Sequence, residues 1–337
     1  MCEDTTENAL PDSEGSDSTE KLSGPVRAPL LKKKDEKSQR RDGQEDVARN
    51  ASTDSKTRAD SEDQLSSGVT KSDNRNTSVE GVGERGDTGT VYLVGSGPGD
   101  PELLTRRAWR LLREADVVLH DSLTGDEIVD DLPESVEVVD VGKRPPQRTT
   151  QDEINELMLG KSRKEETVVR LKGGDPNVFG RGGEEAEYLA SEDVPFEIIP
   201  GVSSVLAAPS VSGIPLTHRD RSSSLTVITG HQTPDKDESA IDWDALADSI
   251  NAGGTLVILM GVNRLPKNVQ ALRKHGVPRR TPTAMVQKAT WGDEKTVTGT
   301  LSDIVEKSQA AEIESPAVTI VGDVVNVRGE VEEWLRG

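Results

Sequence analysis

Residues 90–100 read TVYLVGSGPGD: a short run of apolar and β-branched side chains that enters a loop with glycine at 95, 97 and 99. The run is too short for a helix and reads as a buried strand. The glycines after it let the backbone turn tightly or approach a ligand closely. Asp100 followed by Pro101 has the form of an N-cap and first helical residue, so a helix is expected from 101, carrying Leu104, Ala108, Leu111 and Leu112 on one face. Outward from this unit the pattern repeats. DVVLH (116–120), VEVVD (136–140) and TVVRL (167–171) read as further strands, and the segments between them as covering helices. Thr150 and Glu153 form a capping box for one of these helices, and Gly160 is suited to end it. A helix over about 184–191, a strand near 196–199 and a helix from 203 that meets Pro209 complete the first set. A second set follows, with strands at 225–229, 255–259, 283–287, 295–299 and 317–321, and helices after Asp242, over 264–275, from Leu301 and at the C-terminus. Alternating strands and helices define an α/β fold. The expected division is a tail over 1–88, an α/β domain over 89–220 and a second α/β domain over 221–337.

The fourth strand runs into a second glycine-rich loop, KGGDPNVFGRGGE (172–184), which has glycines at 173, 174, 180, 182 and 183, with Lys172, Asp175 and Arg181 among them. A plain connection is shorter and less flexible. Two glycine loops, each at the carboxyl end of a strand, point to one ligand site at the edge of a parallel sheet. The first loop does not have the GxGxxG spacing of a dinucleotide fingerprint, and Pro98 removes an amide such a loop uses. Asp121 nevertheless stands where a ribose-binding acid would, so an NAD-dependent oxidoreductase is kept as a reading from another class.

All eight aromatic residues follow residue 89. The first 88 residues are polar, with 14 basic and 20 acidic groups, and are expected to be disordered for lack of apolar surface to bury. The remainder holds 27 basic against 41 acidic groups. Such a surface disfavours nucleic-acid and anionic-membrane partners and suits a protein working in high salt. Cys2 is the only cysteine, which excludes an intrachain disulfide and a thiolate metal cluster. His120, His218, His231 and His275 show no metal-ligand spacing, so no metal is expected. The acidic start lacks the form of a secretory signal, and no apolar stretch is long enough to span a bilayer; a cytoplasmic location is expected.

VYLVGSGPGDPELLT (91–105), HDSL (120–123), VGKR (141–144), VVRLKGGDPNVFGRGGEE (168–185), PGVSSVLAAPSVSGIPLTHR (200–219) and TGH (229–231) together resemble the tetrapyrrole methylase family, in its branch acting on uroporphyrinogen III. The resemblance runs in order through nearly all of 90–337. It implies two αβα domains with S-adenosylmethionine in the cleft between them, in a homodimer without a metal. It implies methyl transfer to two ring carbons, C2 and C7, of uroporphyrinogen III, giving precorrin-2 for siroheme or cobalamin synthesis.

Carried over by position, the cofactor contacts would be Pro98, Gly173, Gly174, Asp175, Val178, Ser203, Ser204, Met260 and Ala289. Asp121 would accept a proton and Lys143 would donate one. Met260 also reads as core filler, Ser203 and Ser204 as helix caps, Asp121 as a strand-end cap and Lys143 as a solvated cation. Substrate carboxylates are expected to meet Arg144, Arg148, Arg181, His218, Arg219 and Arg221, because arginine grips carboxylates bidentately. Two departures from the family pattern stand out: Ser122 follows the aspartate where arginine is common, and Asn177 stands where phenylalanine is common. A methylase acting on a later precorrin, and a partner-binding role centred on the acidic tail, are the remaining alternatives.

Overall fold

The computed structural model describes residues 88–142, 149–232 and 240–335. The expected tail, apart from Thr88, and Lys143, Arg144 and Arg148 lie outside the described residues.

The first sheet is built from β1 (Val91–Gly95), β2 (Val117–His120), β3 (Glu137–Asp140), β4 (Val168–Lys172) and β5 (Phe196–Ile199), in the spatial order β3-β2-β4-β1-β5 with every pairing parallel. Parallel strands need crossover helices, and these cover both faces. α1 (Arg106–Glu114) and α2 (Asp126–Asp130) close one face over Val94, Val118, Val169 and Leu171. α3 (Gln151–Ser162) and α4 (Gly182–Ser191) close the other over Val91, Leu93, Val117 and Leu119. β1 and β4 are neighbours, yet the chain leaves β1 toward β2 and leaves β4 toward β5. That divergence is a topological switch point, where the loops after adjacent strands part and leave a crevice.

After α5 (Ser204–Val211), which contains Pro209, the chain forms a second sheet from β6 (Leu225–Thr229), β7 (Thr255–Leu259), β8 (Pro282–Gln287), β9 (Lys295–Thr300) and β10 (Ala317–Val321). The order is β6-β7-β10-β8-β9, with only β6 and β7 parallel in their pairing. Since β10 is antiparallel to both β7 and β8, the carboxyl ends of β6, β7 and β8 share one edge. α6 (Trp243–Asn251), α7 (Leu265–Lys274) and α8 (Ile304–Ala310) pack on one face, and α5 packs with Val324 and Val325 on the other. A four-residue helix, α9 (Arg328–Val331), lies near the C-terminus. Both sheets lie in one compact unit, Asn76–Gly337.

Two local expectations change. The helix expected from 101 is broken: Asp100 caps a 3-10 turn over Pro101–Leu103, Leu104 is extended, and Thr105 starts α1 afresh by accepting from the Ala108 amide at 3.1 Å. Two caps in six residues each satisfy orphan amides, so the chain bends between them. Gly160 does not end α3, which continues to Ser162; the Thr150–Glu153 capping box starts that helix as expected. Interior glycine is tolerated there because Met158 and Leu159 are buried around it.

Leu93 is fully buried in the centre of β1. Leu93→Ala is expected to cost about 2–5 kcal/mol, the range for a large-to-small change at a rigid core position, measurable by denaturant unfolding.

Candidate active site

Four loops meet at the carboxyl edge of the first sheet. The turn after β1 and the loop after β4 bridge each other: the Gly174 amide donates to the Gly97 carbonyl at 2.7 Å, and the Gly97 amide returns the bond to Gly174 at 3.2 Å. Asp175 fixes the third loop, accepting from the Gly201 amide at 3.1 Å through Oδ2 and from the Asn177 amide at 2.9 Å through Oδ1. Ser203 then caps α5, accepting from the Val205 amide at 3.3 Å. The fourth loop follows β2 and contributes Leu123, closed by Thr124, whose hydroxyl donates to the Asp121 carbonyl at 2.7 Å.

These loops surround a cavity lined by Gly97, Pro98, Leu123, Gly173, Gly174, Asp175, Val178, Ser203, Ser204, Trp291 and Pro316. Seven of the nine residues implied as cofactor contacts therefore lie on one wall system. The other two, Met260 and Ala289, sit just after β7 and β8 at the matching edge of the second sheet. Met260 is half exposed with φ 54°, so core filler does not describe it, whereas Ala289 is buried among Val205, Leu259 and Val286.

Gly174 shows what the cavity is shaped to admit. Its φ is 69°, and a Cβ added there would meet nothing nearer than Ser203 Cα at 3.7 Å and the Ser204 amide nitrogen at 3.8 Å. A side chain would thus enter the cavity rather than the protein core. A backbone without a side chain on its cavity face lets a ligand approach closely, and the start of α5 lies beside it.

Beneath these loops lies a buried charge network. Arg170, in the middle of β4 and 3% exposed, donates to Asp121 Oδ2 at 3.0 Å, to Glu185 Oε1 at 3.2 Å and to the carbonyls of Leu171 and Leu119. Lys172 donates to the same glutamate at 2.9 Å, and Gln151 adds a further donor at 3.1 Å. Burial holds the Lys172 ammonium below its usual pKa, and the neighbouring Arg170 charge adds to the effect; Glu185 and Asp121 oppose it. Asp121 Oδ1 is buried without a hydrogen-bond partner, so one oxygen is fixed by Arg170 and the other is an open acceptor. The three donors to Glu185 converge on Oε1 and leave its buried Oε2 without a hydrogen bond, so the opposed charges, rather than full hydrogen-bond pairing, hold these groups out of water.

The cationic residues expected to hold substrate are placed unequally. Arg181, in a left-handed conformation, stands at the N-cap position of α4 and pairs with Glu184, Nε donating to Oε1 at 3.1 Å and a terminal guanidinium nitrogen to Oε2 at 2.5 Å. Arg221 pairs with Glu330 and also donates to the Asp323 carbonyl. His218 accepts from the Asp220 amide at 3.2 Å, and Arg219 is exposed in the same turn. Ser122 and Asn177, the two departures, are both exposed, next to Asp121 and Asp175 respectively. Among the described residues, no group of three or more His, Cys, Asp or Glu side chains is placed to hold a metal, and no helix is long and apolar enough to cross a membrane.

Trp291 and the roles of Arg170 and Glu185 were not foreseen from sequence. A charged residue inside the apolar run VVRLK is the signal that marks the network. Trp291 carries no such signal, because its contacts are with residues some two hundred positions away.

A parallel sheet with glycine turns at its switch point, facing the strand ends of a second mixed sheet, describes a class of two-lobed α/β enzymes that hold a ligand between the lobes. Residues 90–305 match the tetrapyrrole (corrin/porphyrin) methylases, and the chain belongs to that family. It is 49% identical over 253 residues to an S-adenosyl-L-methionine-dependent uroporphyrinogen III methyltransferase of Methanosarcina barkeri, covering 75% of this chain and 98% of that one. It is 43% identical to a siroheme synthase of Pseudomonas entomophila, across 74% of this chain and 53% of that protein. Among solved structures, a uroporphyrin-III C-methyl transferase from Thermus thermophilus, complexed with S-adenyl homocysteine, is 42% identical; the match covers 71% of this chain and all of that one, with a TM-score of 0.60.

Gly174→Val is expected to abolish S-adenosylhomocysteine binding, because the added methyls project into the cavity and a β-branched residue is strained at φ 69°, while the far-ultraviolet circular dichroism stays unchanged because the strained position lies in a loop outside both sheets. Calorimetric titration of the variant gives the measurement, and undiminished affinity would remove this loop from the site.

Proposed function

We propose that the chain transfers methyl groups from S-adenosylmethionine to C2 and C7 of uroporphyrinogen III, giving precorrin-2 for siroheme synthesis, cobalamin synthesis or both. The observation that carries this reading is the cavity at Gly174, whose side-chain-free glycine wall leaves room for a ligand and whose lining includes seven residues matched to cofactor positions of the family. Sequence identity supports this substrate: a cobalt precorrin-4 methyltransferase matches with a TM-score of 0.63 at 29% identity, whereas relatives named for uroporphyrin(ogen) III stand at 38–49%. The siroheme synthases among the relatives favour the siroheme branch.

The cavity residues fit the cofactor. Pro98, Gly173, Gly174, Asp175, Val178, Ser203 and Ser204 would hold it from the first sheet, and Met260 and Ala289 from the second. Bound there, S-adenosylmethionine supplies an electrophilic methyl group. The chain's own part is to orient the ring and to handle protons. Leu123, Val178 and Met260 are apolar yet partly exposed at the cleft, a surface suited to a flat macrocycle. Asp121 presents its unpartnered Oδ1 as the proton acceptor while Arg170 holds Oδ2 still. Lys143 is assigned as the proton donor. Arg144, Arg148, His218 and Arg219 would meet the substrate carboxylates, and Arg181 and Arg221 could join them by exchanging their present carboxylate partners for those of the substrate. We place this activity in the cytoplasm, in a homodimer whose acidic surface suits high salt.

Incubation with uroporphyrinogen III and S-adenosylmethionine is expected to yield a product heavier by two methyl additions, with S-adenosylhomocysteine released twice. A product with one addition, or turnover only with an already methylated ring, would overturn the substrate assignment.

Asp121→Asn is expected to lower kcat by about 10²-fold, the scale for an acid–base group, with the S-adenosylhomocysteine Kd unchanged. Full activity in steady-state assays would leave Asp121 a structural partner of Arg170.

A further inference from the structure

The loop between β8 and β9 carries a cluster of strained backbone that the proposed chemistry does not require. Lys288 has φ 46° and Thr290 φ 74°. A β-branched residue in the left-handed region is a genuine outlier, and such strain persists only where surrounding contacts hold it. The contacts here reach the other sheet. The Trp291 indole donates its N–H to the Pro98 carbonyl at 2.8 Å, and the Thr290 hydroxyl accepts from the Asp100 amide at 3.2 Å. One loop of the second sheet therefore grips the first glycine turn on both sides of Gly99.

Gly99 is shaped to receive that grip. A Cβ at this position would lie 1.9 Å from the indole nitrogen, so the absence of a side chain at 99 is what admits the ring. The loop is braced in turn. The Thr290 amide donates to Glu294 at 3.0 Å, the Lys288 ammonium stands 5.8 Å from the indole centroid, and Lys288 pairs with Asp293. Trp291 also lines the cavity directly, together with Gly174 and Ser203.

We propose that Trp291 is a positioning residue of the cofactor cavity: its indole N–H sets the Pro98 carbonyl, and its ring closes the cavity wall from the second sheet. The inference rests on the reading of this cavity as an S-adenosyl site. Pro98 offers no amide of its own, so the shape of its turn depends on what holds its carbonyl. The bond is half-buried, and the lower local dielectric there strengthens it relative to a fully exposed one. It ties ligand affinity to the approach of the two sheets.

Trp291→Phe in the full chain keeps an apolar ring but removes the donor and part of the indole's bulk. S-adenosylhomocysteine affinity, measured calorimetrically, is expected to fall about five- to tenfold, in line with the loss of one hydrogen bond. KM for S-adenosylmethionine should rise by a similar factor while KM for the porphyrinogen stays unchanged. A merely structural role would raise both KM values together, and that result overturns the proposal, as does a wild-type Kd.

A second measurement needs no variant. In protein labelled with 5-fluorotryptophan, one of the four tryptophan resonances should shift on adding S-adenosylhomocysteine, because Trp109, Trp243 and Trp334 lie outside the cavity lining. No shift under saturating ligand overturns the role of Trp291 while leaving the cofactor reading intact. Failure of the unlabelled wild-type protein to bind the ligand at all would overturn the cofactor reading, and the proposal with it.

Discussion

The reciprocal hydrogen bonds between Gly97 and Gly174 are the constraint on which the site depends. β1 and β4 lie side by side, but the chain leaves them in opposite directions, so their loops would part without a tie. Two backbone bonds join them at the point of divergence, and positive φ at both glycines, 76° and 69°, makes the geometry accessible. From this tie the other walls follow in turn. Gly174 leads to Asp175, Asp175 holds Gly201, and Gly201 places Ser203 at the start of α5. The cavity is thus framed largely by main chain, with few side chains competing for its volume.

Below that frame, the Arg170 network converts a structural element into a chemical one. Arg170 and Lys172 stand two residues apart on β4, so their side chains emerge on the same face of the sheet, and both reach Glu185 near the start of α4. The arginine alone also reaches Asp121, after β2. Strands β2 and β4 and helix α4 are consequently held together by charge as well as by their apolar faces. Buried ion pairs contribute little net stability compared with apolar replacements, but breaking one is costly. Their value here lies in orientation, since the aspartate carboxylate is fixed at one oxygen and open at the other.

The two sheets divide the labour. The first supplies the glycine turns, the acid and the charge network. The second supplies Met260 and the strained loop ending in Trp291, both at strand ends that share one edge. Placing positive-φ residues on that edge concentrates backbone strain where a ligand would be gripped, and away from the packed faces that hold each sheet together.

Much of this was legible in the sequence. Apolar runs of four to six residues between amphipathic stretches specify buried strands and covering helices, because period and length are local properties. The two glycine loops and Asp121 were also visible, since glycine and chain-terminal acids at strand ends are local signals. What the local pattern could not set was any relation between distant segments. The break at Leu104 came from two successive caps, Asp100 on the Glu102 amide and Thr105 on the Ala108 amide, each starting its own helical turn, and the extension of α3 through Gly160 from the packing of its neighbours. The antiparallel pairing of β10 with β7 and β8 depends on which strands meet, and a strand's own sequence reads alike in either direction. The sequence by itself determined the elements, their order and the turn chemistry at their ends. Only the tertiary structure decided that Arg170 fixes Asp121 and that Trp291 meets Pro98, because hydrogen bonds between residues 49 and 193 positions apart exist only after the chain has folded.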